Sequence, residues 1–291
     1  MIFKSIVLKK TKAMTKNNPD RMAVLMPLGD IHWGAKTCCY KTFKDTVKRG
    51  LDMGAYFIGM GDYLDFASES QRAIMGQLRD STKMQLDKQI KEIADEFVES
   101  IKKTKGKWIG LLKGNHSWEF SDLTNVEQYI CKKLNCDYLG TSTYLRIIPE
   151  QAIKHRPEAD LIVYAHHGKG NAQTIGGHLG KPEKVLEWTD ADLVLMGHDH
   201  AQIAGKIHSI HITPDGIYAD REKTVARTGS FLKAYETIEP LNLNEPAYKS
   251  EGSYVEKAAM MPAALGAICF EICIKRVDGS SYYRPMVRHI I

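Results

Sequence analysis

Cysteine is scarce in this chain, with six in 291 residues. That excludes a small disulfide-held scaffold. Cys38 and Cys39 are adjacent, and neither Cys131/Cys136 nor Cys269/Cys273 has zinc-ribbon spacing, so all six read as free thiols of a reducing compartment. Long apolar runs are missing too. The longest uncharged stretch, 258–270, contains Pro262 and Gly266, and it falls short of the ~20 residues a membrane span needs. The opening MIFKSIVLKK breaks its apolar run at Lys4, so no signal peptide is expected. The expectation is a cytoplasmic protein with no membrane partner. There is also no large excess of one charge. Forty Lys and Arg against 35 Asp and Glu leave +5, which permits a phosphate-bearing partner without demanding one. Aromatics make up 9% and do not interleave with basic residues. Lys102, Lys103, Lys105 and Lys107 read as a solvated helix end. Nucleic acid is therefore compatible with the sequence but not indicated by it, and nothing bears on oligomeric state.

What is present is ordinary globular chemistry, 43% hydrophobic and 26% charged, without repeats or linkers. Residues 22–28, 55–60, 108–112, 161–165 and 193–196 are short apolar runs that read as buried strands. Between them, Tyr40, Phe43, Val47 and Leu51 recur at helical spacing, as do Leu86, Ile90, Ile93, Ala94, Phe97 and Ile101. Strands alternating with helices predict an α/β fold with crossovers. From Gln202 onward the runs shorten and turn signals such as Pro214-Asp215-Gly216 accumulate, which predicts antiparallel strands. A single domain over 1–291 is expected, with a core of about 22–231 and a strand-rich extension over 232–291. Residues 232–262 show no periodicity.

Each of the five apolar runs ends in chemistry-bearing residues. They are Gly29-Asp30-Ile31-His32, Gly61-Asp62 with Asp65, Gly114-Asn115-His116, His166-His167-Gly168, and Gly197-His198-Asp199-His200. Ligands of α/β sheets gather at the carboxyl ends of strands, so these tips are expected to converge. Imidazole, carboxylate and amide oxygen suit Zn, Fe, Mn, Ni or Co. The set exceeds what one tetrahedral ion needs, and two ions sharing a carboxylate fit its number better. Taken singly, the pieces have plainer readings: Gly61-Asp62 as a turn, Asp65 as a helix cap, Gly114-Asn115 as a turn pair.

In this order the motifs resemble those of the calcineurin-like metallophosphoesterases: D-x-H, G-D-x-x-D, G-N-H, a histidine after a strand, and G-H-x-H, matched from Asp30 to His200. The resemblance implies an α/β/β/α fold, a β-sandwich of two mixed sheets flanked by helices. It implies a cofactor of two divalent transition-metal ions (Mn, Fe, Zn or Ni, with Mn favoured). Asp30, His32 and His200 would hold one ion. Asn115, His198 and either His166 or His167 would hold the other, the motif register favouring His166. Asp62 would bridge them, and His116 would act on the substrate as the catalytic residue. The implied activity is hydrolysis of a phosphate ester by a metal-bridging hydroxide, as a phosphatase, phosphodiesterase or nuclease. The alternative is a non-catalytic binding module on the same fold.

Two departures stand out. Ser117 replaces the usual Asp or Glu after G-N-H, with Glu119 as the nearest substitute, and the histidine pair leaves its ligand ambiguous. For substrate contacts, the glycine-rich stretch 168–180 reads as a mobile loop offering Lys169 and His178, and Arg72 is a third candidate. Asp199, between two ligand positions, reads as a supporting or solvated residue.

Overall fold

In the computed structural model, residues 1–15, 20–66, 79–150, 159–170, 172–235 and 262–290 are described. Arg72 and nearly all of 232–262 lie outside them. Twelve strands among these residues form two mixed six-stranded sheets. The first contains β1 (Ile2–Leu8), β6 (Ser142–Pro149), β7 (Leu161–His166), β8 (Leu193–Met196), β10 (Tyr218–Thr228) and β9 (Gln202–Ile212), in that spatial order. The second runs β12 (Tyr283–Ile290), β11 (Cys269–Arg276), β2 (Arg21–Leu28), β3 (Tyr56–Gly59), β4 (Trp108–Leu112) and β5 (Asp137–Gly140).

The unbroken apolar runs follow from burial on both faces. Along β2, Val24, Met26 and Leu28 face one core, and Ala23 and Leu25 face another. The first core lies under helices α2 (Tyr40–Asp52), α3 (Asp80–Ser100) and α4 (Val126–Leu134), where Phe43, Val47, Ile90, Ala94 and Phe97 pack. α1 (Lys12–Thr15) is a single turn before β2. The second core fills the space between the sheets, with Leu161, Val163, Ala165, Leu193, Leu195 and Phe270. Beyond the first sheet, Tyr164, Val194 and Val225 pack against α5 (Ile175–Val185). The layers are helices, sheet, sheet, helix, the α/β/β/α sandwich that the motif resemblance implied.

The five motif-bearing strands are thus shared between two sheets, β2, β3 and β4 in one, β7 and β8 in the other. Their tips meet at one edge of the sandwich. The C-terminal strands extend the second sheet: β11 pairs antiparallel with β2, and β12 pairs with β11 at the edge. A buried ion pair, Arg21 to Glu271, joins β2 to β11.

The glycine-rich stretch, expected to be a loop throughout 168–180, is helical from Ile175 onward. Ile175–Val185 is a helix, its N-terminus closed by Thr174, whose side-chain oxygen accepts the Gly177 N–H. The cap and the burial of Pro182 and Val185 outweigh three glycines of low helix propensity. Among the described residues, no helix is long and apolar enough to cross a membrane.

Candidate metal centre

Parallel pairing of β2 with β3 continues into the loops that follow them. Asp30 N–H donates to Gly61 O, the N–H groups of Ile31 and His32 to Asp62 O, and Trp33 N–H to Tyr63 O, all within 3.1 Å. This stitching holds side chains in a backbone conformation they rarely adopt. Asp30, His32, Asp62, His198 and His200 all have φ between 47° and 75°. They are five of the seven non-glycine residues with positive φ among the described residues. Each such residue costs on the order of 1 kcal/mol and persists only where surrounding bonds over-determine it. The glycines fit the same logic, since a Cβ on Gly114 would overlap the Asp62 carboxylate.

The side chains fall into overlapping groups whose donor atoms lie within 4.8 Å of one another: Asp30, His32 and His200; Asp62, His167 and His198; and His32, Asp65 and His116. Each group offers donors close enough for a divalent cation. Asn115 joins the second, its Oδ1 2.9 Å from His167 Nε2 and 2.8 Å from His198 Nδ1. Asp62 Oδ2 faces both of the first two groups, 3.3 Å from His167 Nε2 and 4.0 Å from His32 Nε2. Asp62 Oδ1 accepts the His116 backbone N–H at 2.8 Å. Asp30 is anchored likewise, Oδ2 accepting the His198 N–H at 2.8 Å. Its Oδ1, 3.7 Å from His200 Nε2, is buried without a hydrogen-bond partner, as is His32 Nε2. Two orphaned buried ligand atoms in one cluster are costly unless something else engages them, and a divalent cation would fit that need.

Protonation follows from burial and crowding. Burial pushes the Asp30 carboxyl up to about 7, against the opposing pull of His167. Burial would do the same to Asp62, but the His167 hydrogen bond and charge outweigh it and hold Asp62 well below the usual carboxylate range. Burial works against a charge on His167, yet its hydrogen bond to Asp62 and the charges of Asp62 and Asp30 raise it to about 9. Burial lowers His198, and lowers His200 to about 3.

His167, not His166, belongs to the cluster. Along β7, Leu161, Val163 and Ala165 point between the sheets, and 167 continues that parity. His167 Nδ1 lies 2.7 Å from Met60 O, a carbonyl that can only accept, so in the neutral ring Nε2 is the lone pair aimed at the site. His166 shares the outward parity of Ile162 and Tyr164, and its Nδ1 accepts the Gly168 N–H at 2.7 Å.

His116 sits at the rim, its ring edge-on to His32 with centroids 4.8 Å apart. Its Nδ1 lies 3.5 Å from Asp65 Oδ1, and His32 Nδ1 lies 3.3 Å from the same oxygen. Asp65 is therefore a site residue, and the residues it was expected to cap lie outside those described. The pairing of Asp62 with Asp65 in one motif was the available signal.

Asp199 is buried, not solvated. Its Oδ2 lies 3.0 Å from both Arg227 Nε and His178 Nδ1. Arg227 is 1% exposed and also donates from Nη1 to Gly197 O and from Nε to His178 O, at 2.8 Å each. His178 is committed to this network and Lys169 is exposed, so the structure places neither among the clustered donors. Nothing in the sequence marked Arg227, which lies 28 residues beyond Asp199. Asp199→Ala leaves the buried guanidinium uncompensated and is expected to destabilise the protein by ~3–5 kcal/mol, read from denaturant midpoints at constant slope. A loss under ~1 kcal/mol would contradict this reading of the network.

No family model matches the chain, and no curated protein matches it. Solved structures similar to it include vacuolar protein sorting 29 from Cryptosporidium parvum, at 13% identity and TM-score 0.38, covering 92% of this chain and 97% of that one. Vps29 complexed with Zn from Entamoeba histolytica is similar at 10% identity and TM-score 0.37, covering 91% and 98%. A predicted phosphoesterase from Streptococcus pneumoniae is similar at 11% identity and TM-score 0.33, covering 91% and 98%.

Proposed function

We propose that the protein is a dinuclear metal-dependent phosphoesterase. One observation carries this reading: a single carboxylate oxygen, Asp62 Oδ2, faces two separate ligand groups. Asp30, His32 and His200 would hold one divalent ion, and Asn115, His167 and His198 the other, with Asp62 shared. When bound, such a pair lowers the pKa of coordinated water and neutralises charge on phosphoryl oxygens.

The chain's own residues do the rest. The His116 N–H fixes Asp62 by one oxygen and leaves the other facing both groups. The Met60 carbonyl sets the His167 tautomer. His116, beside Asp65 and open to the rim, donates a proton to the departing ester oxygen. Manganese is the preferred ion for testing. The modest basic balance suits a phosphodiesterase or nuclease-like activity.

Metal uptake carries a pH signature. His198 and His200 are lowered by burial and already neutral near pH 7. His167, at about 9, His32, raised against its burial by the Asp65 hydrogen bond and the Asp62 and Asp30 charges, and Asp30, at about 7, must release protons to become ligands. Affinity therefore rises with pH up to about 9, more steeply below 7, where Asp30 also releases. Calorimetric titration of Mn into chelator-stripped protein should tighten at least ~10-fold from pH 7 to pH 8, with one or more protons released per ion pair bound. The stripped protein should not turn over bis(p-nitrophenyl) phosphate, and Mn should restore it. Affinity independent of pH, or turnover unaffected by chelation, would refute the proposal.

A further inference from the structure

The short loop 114–117 carries Asn115 and His116, yet it belongs to neither strand nor helix. Its backbone also reaches Asp62, through the His116 N–H. A shift of this loop would therefore displace a ligand, the proton donor and the shared carboxylate together.

A buried carboxyl from outside the site grips this loop at both ends. Glu127, 1% exposed, stands in the first turn of α4. Its Oε2 accepts the Ser117 hydroxyl at 2.6 Å, and Ser117 is itself 4% exposed. The backbone N–H of Gly114 lies near the same carboxyl group and favours its charged form. One side chain thus spans the four-residue loop, first residue to last.

Helix α4 makes a firm anchor. Asn125 and Gln128 close its N-terminus with reciprocal hydrogen bonds in a capping box. Val126 N–H donates to Trp118 O at 3.0 Å, just past the loop. Ile130 and Leu134 are buried in the core beneath the second sheet. An acidic residue in a first helical turn is also favoured by the helix dipole. Glu119, the substitute suggested by sequence proximity, is exposed and pairs with Asn125 in an isolated bridge. The carboxyl group that serves the loop lies ten residues beyond Ser117 and arrives by the fold.

We infer that Glu127 is a positioning residue of this site, holding Asn115 and His116 in register through Ser117 and Gly114. The inference rests on the phosphoesterase reading above. Residues that orient metal ligands typically change affinity 10–100-fold when removed, without touching ion or substrate.

The test compares Glu127→Ala, Glu127→Gln and Ser117→Ala in the full chain. Mn affinity is measured by calorimetry, turnover with bis(p-nitrophenyl) phosphate, and Gly114 amide exchange by NMR on metal-free protein. Glu127→Ala should weaken Mn binding about 10–100-fold, lower kcat more than it raises KM, and deprotect the Gly114 amide. Glu127→Gln should recover most of the affinity, because its amide oxygen accepts the Gly114 N–H while its NH2 donates to Ser117. If Glu127→Ala does not fold, Ser117→Ala carries the test, with a smaller loss in the same three readouts. Variants that fold with wild-type Mn affinity, kcat and Gly114 protection would overturn the inference alone. A lowered melting temperature with unchanged affinity would do the same, reducing Glu127 to a structural role. A wild-type protein that takes up no Mn would overturn the functional reading and this inference with it.

Discussion

Asp62→Asn is expected to reduce bound Mn from two ions per chain to one or none, and to lower turnover by on the order of 10³-fold, about 4 kcal/mol of barrier. The substitution is nearly isosteric. The Asn carbonyl oxygen can still accept the His116 N–H that Asp62 Oδ1 takes at 2.8 Å. What disappears is the negative charge facing His32 and His167 at once. The same change predicts an independent signature in the metal-free protein. His167 is raised to about 9 against the opposing effect of its burial, chiefly by Asp62. Without that carboxylate, His167 should titrate below its wild-type value. Histidine ring NMR reads this directly. Two ions per chain and near-normal turnover in Asp62→Asn would exclude a shared carboxylate.

His116→Ala should behave in the opposite way, with metal retained and turnover lost. The His116 ring lies outside the groups assigned to the two ions, and its hold on Asp62 is through backbone, which alanine preserves. Loss of a positioned proton donor typically costs ~10²–10⁴-fold. The loss should be smaller for aryl esters, whose phenolate leaves without help, than for alkyl esters, whose alkoxide needs a proton. The measurement is kcat for a matched aryl and alkyl pair, alongside metal content. Equal losses on both esters would remove the proton-donor role, and lost metal would place His116 among the ligands.

Much of this arrangement was legible in the chain. The runs at 22–28, 108–112 and 193–196 correspond to β2, β4 and β8 to within a residue. Burial on both faces makes such strands continuously apolar, and their tips stand out by contrast. That same continuity hid the choice between His166 and His167. With no polar alternation along β7, parity could not be read from the residues, and only the contacts of Leu161, Val163 and Ala165 supply it. The helix at Ile175–Val185 was obscured because glycine reads as loop, whereas a threonine cap and packing on Tyr164 and Val194 decide the matter. Glu127 and Arg227, and the partners of Asp65 and Asp199, escaped for a different reason. These pairings span 10 to 51 residues of chain, Glu127 with Ser117, Asp65 with His116 and Asp199 with Arg227. Local propensity carries no record of such contacts. The positive φ angles of Asp30, His32, Asp62, His198 and His200 are equally invisible locally, because tertiary hydrogen bonds impose them.

Anomalous diffraction from crystals grown with Mn would reveal whether two cations share Asp62. Two peaks are expected, one bounded by Asp30, His32 and His200, the other by Asn115, His167 and His198, with the Asp62 carboxylate between them. A single peak, or a pair that leaves Asp62 out of contact, would contradict that arrangement.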